Sequence, residues 1–167
     1  EGVLEGLEAR INYLSERYDG PVSLVGHSLG GIFARELARQ FPDRVRQVIS
    51  LGSPFGEGRM TASYPARLFA ALNPSEDLPI DEDELHIPPP VPTTAIYSRG
   101  DGIVNWRTTL QEEGHQQSQS IRVRGSHCGM TLNPAIWFLV AERLAVPHGE
   151  WRPFERSSWR NLLYPAT

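Results

Sequence analysis

The chain has 167 residues, 40% of them hydrophobic, and a formal charge of −4 at pH 7. That length suits one globular domain, and the mild acidic excess excludes a surface built for nucleic acid. The longest apolar run, AIWFLVA at 135–141, is far too short to span a membrane, so no integral membrane segment is expected.

Leu4, Leu7, Ile11, Leu14 and Tyr18 recur at steps of three and four, which predicts an amphipathic helix ended by Asp19-Gly20-Pro21. VSLV at 22–25 reads as a short, doubly buried strand. Phe33, Ala34, Leu37, Ala38 and Phe41 mark one face of a second helix, stopped by Pro42. VRQVISL at 45–51 is the next strand, closed by Gly52-Ser53-Pro54. The excursion from 55 to 90 holds a possible short helix, SYPARLFAAL, and an acidic, proline-broken stretch, EDLPIDEDEL. VPTTAIYS at 91–98 and QSIRV at 119–123 are a third and a fourth strand. Asn133-Pro134 then starts a helix whose buried stripe is Ile136, Leu139, Val140 and Leu144. This order predicts an α/β fold with a mostly parallel sheet flanked by helices. Residues 1–167 read as a single domain. Trp151, Phe154, Trp159, Leu162 and Leu163 predict that the tail 146–167 packs back on the body.

The chemistry centres on LVGHSLGG at 24–31. A G-x-S-x-G between a strand and a helix forms a tight elbow that presents the serine hydroxyl at the sheet edge. Gly26 and Gly30 are then expected to be glycine because side chains there would collide. A serine needs a base to take its proton, and the base needs a third group to fix its tautomer. Reactive groups gather at the carboxyl ends of parallel strands. The third strand runs into SRGDGIV, which holds Asp101, and the fourth into RGSHCGM, which holds His127. Asp77, Asp81 and Asp83 in the excursion are weaker rivals for the acid.

The order serine, aspartate, histidine, with VGHSLGG, DGIV and GSHCGM, resembles the lipase and esterase branch of the α/β-hydrolase superfamily. The match covers about residues 1–145 and corresponds to the second half of that fold, a partial α/β-hydrolase. The resemblance implies Ser28 as nucleophile, His127 as general acid–base, Asp101 as its orienting acid and the Leu29 N–H as an oxyanion donor. It implies that a second oxyanion donor comes from the family's first half, which would precede Glu1. It makes 55–90 a lid or cap, with Leu68, Phe69 and Leu72 as acyl-pocket candidates or simply packing residues. The substrate class implied is a small-molecule or lipid carboxylic ester. An acyltransferase with the same triad and a non-catalytic binding module on this fold are the alternatives.

His27 adjoins the serine, but its side chain should diverge from it, so it is expected to pack or to line the pocket rather than act as the base. His86, His115 and His148 sit in polar or proline-rich loops as surface residues, and Cys128 reads as a small, at most half-exposed residue. No histidine–carboxylate set has metal-ligand spacing, and DEDE at 81–84 lacks the pattern of a calcium loop. The glycines lack the Gly-Lys-Ser/Thr ending of a phosphate loop, so no metal and no cofactor is expected. The single cysteine favours a reducing compartment such as the cytoplasm. The start at Glu1, inside a helical pattern, reads as a truncation that leaves localisation open. Oligomeric state is not legible.

Overall fold

The computed structural model describes residues 2–56, 86–111 and 116–166. Most of the 55–90 excursion, with Leu68, Phe69, Leu72 and the three rival aspartates, lies outside these residues, as does His115.

Helix α1 (Val3–Arg17) leads into β1 (Val22–His27), and α2 (Leu29–Gln40) into β2 (Val45–Leu51). Strands β3 (Thr93–Ser98) and β4 (Ser118–Val123) precede α3 (Pro134–Leu144) and the short α4 (Arg160–Leu163). The four strands form one sheet in the order β1-β2-β3-β4, and every pair is parallel. The predicted α/β class with a parallel sheet is therefore the observed one.

Strand alternation divides the core between two faces. Val45 and Val48 join Ile11, Ala34, Leu37 and Ala38 beneath α1 and α2. Ile49, Leu51, Ile96 and Ile121 join Ile136 and Leu139 of α3 on the opposite face. Burial on both faces is what a parallel sheet with crossover helices requires.

Several local expectations are corrected. β1 runs through Gly26 and His27 rather than stopping at Val25. Among the described residues it is an edge strand, and the doubly buried environment is not realised, Val25 being 46% exposed. β3 starts at Thr93 rather than 91, because Pro92 has no N–H for the ladder and contributes only its carbonyl, which accepts from Val48 N–H. Tyr18 caps the end of α1 in solvent instead of extending its apolar face.

Asn133 caps α3 as predicted, its side chain accepting from the Ala135 N–H at 2.9 Å. Leu144 is exposed, and Arg143 takes the buried position beside it, donating to the carbonyl of Arg152. In the tail, Phe154 and Tyr164 enter the core, edge to face at 4.9 Å, while Trp159, Leu162 and Leu163 stay exposed. Tyr164 is the anchor that periodicity could not single out. Its hydroxyl donates to the Ala135 carbonyl at 2.7 Å, and burial raises its pKa above the usual phenol value.

Candidate active site

The carboxyl ends of the four strands carry, in order, Ser28, Gly52, Asp101 and His127. Parallel strands place all their carboxyl ends on one edge, so residues a hundred positions apart meet there.

Ser28 joins β1 to α2 directly, with φ 55° and ψ −123°. This is a positive-φ conformation that a non-glycine residue adopts only at a cost of about 1–3 kcal/mol. Its N–H donates to the Leu51 carbonyl at 2.8 Å, which pins the elbow to β2. Ser28 occupies the N-cap position of α2, yet its side chain makes no capping hydrogen bond. A serine kept merely as a cap would accept from the first turn of its helix. Leu29 N–H, at the first helical position, has no backbone partner among the described residues.

The glycine requirement is real at Gly26, where an added Cβ would lie 2.3 Å from the backbone C and O of Gly30. It is also real at Gly31, whose Cβ would meet Ser53 Oγ at 2.0 Å. It fails at Gly30, where a Cβ meets nothing within 4 Å. The strand presses on the Gly30 backbone, but a side chain there would point into open space.

His127 Nδ1 and Asp101 Oδ2 are 2.7 Å apart, with side chains only 6% and 1% exposed. The other Asp101 oxygen, Oδ1, accepts from the N–H groups of Ile103 and Val104 at 2.9 and 2.8 Å. The DGIV turn thus holds the carboxylate from behind while its free oxygen receives the imidazole. No hydrogen bond joins Ser28 to His127 in this structure.

Gly52, expected only to close a strand, packs against the His127–Asp101 pair. At φ 55°, its added Cβ would lie 3.1 Å from Asp101 Oδ2, His127 Nδ1 and Met130 Sδ alike. A glycine directly after a strand, between the loops that carry Ser28 and Asp101, is the available signal.

His27 packs against His127. Its Nε2 lies 3.2 Å from the backbone carbonyl of His127, and the two rings are 4.6 Å apart. Burial first, and then the neighbouring His127, lower its pKa below the usual histidine value. A histidine that is harder to protonate folded than unfolded contributes stability above its unfolded pKa, and loses it as pH falls through the folded value. Wild-type protein should therefore lose stability more steeply than His27→Gln as pH drops below about 6.5. Urea denaturation at several pH values checks this, and parallel curves would contradict it.

Cys128 is exposed, more so than expected. His148 is exposed, as expected, whereas His86 is half-buried and its carbonyl accepts from Arg35. Among the described residues, no helix is long and apolar enough to cross a membrane.

A family model for the alpha/beta hydrolase fold matches residues 17–82. No curated protein matches the chain in sequence. Among solved structures, Aspergillus fumigatus lipase B superimposes with a TM-score of 0.67 at 20% identity, over 90% of this chain and 42% of that one. The esterase domain of a Rhodothermus marinus protein gives a TM-score of 0.52 at 21% identity, over 75% of this chain and 59% of that one. Mouse alpha/beta hydrolase domain-containing protein 10 gives 0.52 at 22%, over 85% and 68%. The chain thus spans between 42% and 68% of the length of these three structures. It has the α/β-hydrolase fold. The solved structures similar to it include esterases and lipases.

Proposed function

We propose that this chain carries the catalytic residues of a serine hydrolase that cleaves carboxylic esters. Ser28 is the nucleophile, His127 the general acid–base, Asp101 the acid that orients it, and Leu29 N–H an oxyanion donor. The observation that carries the reading is the buried His127–Asp101 pair on the same sheet edge as a serine at φ 55° with no capping bond.

In the reaction, Ser28 Oγ attacks the ester carbonyl carbon while its proton passes to His127 Nε2. The carbonyl oxygen becomes an oxyanion beside the Leu29 N–H, at the positive end of α2. Collapse expels the alcohol, which takes the proton from His127. Water then attacks the acyl-enzyme by the same route and releases the acid. Throughout, Asp101 keeps the proton on His127 Nδ1, so that Nε2 is free to accept.

The direct test is intact-mass analysis after exposure to a fluorophosphonate, which phosphonylates only an activated serine. One adduct, mapped to the peptide containing Ser28, is expected; no adduct on folded protein would refute the proposal.

Asp101→Asn isolates the orienting acid. The asparagine oxygen still accepts from Ile103 and Val104, so the turn survives. Its NH₂ then faces His127 Nδ1 and drives the imidazole into the opposite tautomer. Ester turnover should fall by about 10⁴-fold with little loss of thermal stability. Unchanged turnover would remove Asp101 from the mechanism.

A further inference from the structure

We infer that His27 is a positioning residue that ties the main chain of His127 to the nucleophile strand and thereby holds the base in register with Ser28. The inference rests on the serine-hydrolase reading for its kinetic consequence, but the tie itself is a feature of the fold.

Strand alternation puts His27 where this role is available. In β1, Gly26 faces α2, since its Cβ would strike Gly30. Val25 and His27 therefore face the other way, and Val25 lines an apolar groove with Met130, Ile136 and Trp137. The turn carrying His127 runs directly into that layer. From the end of β1, the His27 ring reaches the His127 carbonyl at 3.2 Å and packs against its ring, tilted by 38°.

A carbonyl only accepts, so His27 Nε2 must carry the hydrogen. The same carbonyl also accepts from Met130 N–H at 3.2 Å within its own turn. That second bond is local and moves with the turn, whereas the bond from His27 crosses a hundred residues to the strand that ends in Ser28. Ser98 Oγ and Asn133 Nδ2 hold the exposed start of the turn through the Gly125 and Arg124 carbonyls, at 2.6 and 2.8 Å, whereas His27 acts on the main chain of His127 itself. Asp101 fixes the imidazole at Nδ1, and His27 fixes the backbone from which the ring hangs. Two anchors on different strands leave the ring little freedom to swing away from the elbow. The lowered basicity of His27 suits it to this place, since it stays neutral beside His127 when the latter takes up the serine proton.

The test compares His27→Ala with His27→Gln, whose amide N–H can still donate to the carbonyl. In His27→Ala, kcat for a short-chain ester should fall by about 10–100-fold with KM nearly unchanged, the effect of a misplaced catalytic group. Fluorophosphonate labelling should slow in parallel, and His27→Gln should recover most of both. Proton NMR supplies a readout that needs no turnover. The downfield His127 Nδ1–H resonance of the bond to Asp101 should broaden or vanish in His27→Ala and persist in His27→Gln. An unaltered resonance in folded His27→Ala would overturn the proposal, as would loss in both variants alike. If wild-type protein shows the resonance but takes no fluorophosphonate label, the hydrolase reading fails while the tie is still judged on the NMR comparison.

Discussion

Ser28→Ala should lower ester turnover on the order of 10⁶-fold, the loss seen when the nucleophile of a complete triad is removed. The same substitution should leave the stability of the fold nearly unchanged. A serine that caps a helix stabilises it by about 1 kcal/mol through its hydroxyl, but the Ser28 side chain makes no such bond. Alanine keeps a Cβ at φ 55°, so the strain of the elbow is neither added nor relieved. The two readings of this serine therefore predict opposite outcomes. A nucleophile costs activity and no stability, whereas a cap costs stability and no activity. Steady-state hydrolysis of a chromogenic ester, paired with thermal denaturation of both proteins, separates them. Equal turnover by both proteins would end the case for Ser28 as nucleophile.

Gly26→Ala should destabilise the protein by about 3 kcal/mol or more, at or beyond the upper end of ordinary overpacking. Its methyl group would lie 2.3–2.4 Å from three backbone atoms of Gly30 and Gly31. Backbone atoms cannot rotate aside as a side chain does. The strand and helix would have to separate, and Ser28 is the single residue that joins them. Gly30→Ala is the control, because a methyl there meets nothing within 4 Å. In a helix, alanine is intrinsically favoured over glycine by about 1 kcal/mol, so this variant should be at least as stable as the wild type. Urea denaturation of the pair gives the comparison. A Gly26→Ala protein as stable as Gly30→Ala would show that strand and helix are not in this contact.

Much of this architecture was legible in advance because it is written in local chemistry. Hydrophobic spacing located α1, α2 and α3, and Asn133-Pro134 marked the start of α3 before any contact was known. The apolar strand runs, interrupted by helices, required a parallel sheet, and that in turn required loop residues from separate strands to gather at one edge. Asp101 and His127 could be nominated on that ground, and Ser28 on its G-x-S-x-G setting.

What misled the reading was information that resides in packing. The pattern G-x-S-x-G does not say which glycine bears the steric load, and the contact falls on Gly26 and Gly31 rather than on Gly30. Periodicity assigns Leu144 to the core, but Arg143 is the buried residue, its guanidinium donating to the neighbouring Glu142 carboxylate and to the Arg152 carbonyl of the tail. Composition counted the tail's large apolar groups without saying which would be used, and Phe154 and Tyr164 were.

The sequence by itself determined the class of fold, the order of its elements and the three residues proposed for catalysis, since each follows from periodicity, turn chemistry or motif spacing. Only the tertiary structure decided that Asp101 and His127 are joined at 2.7 Å, that Gly52 leaves room for them, and that His27 reaches the His127 carbonyl. Those facts depend on strand register and on the facing of side chains across the sheet, distances that no stretch of sequence encodes locally.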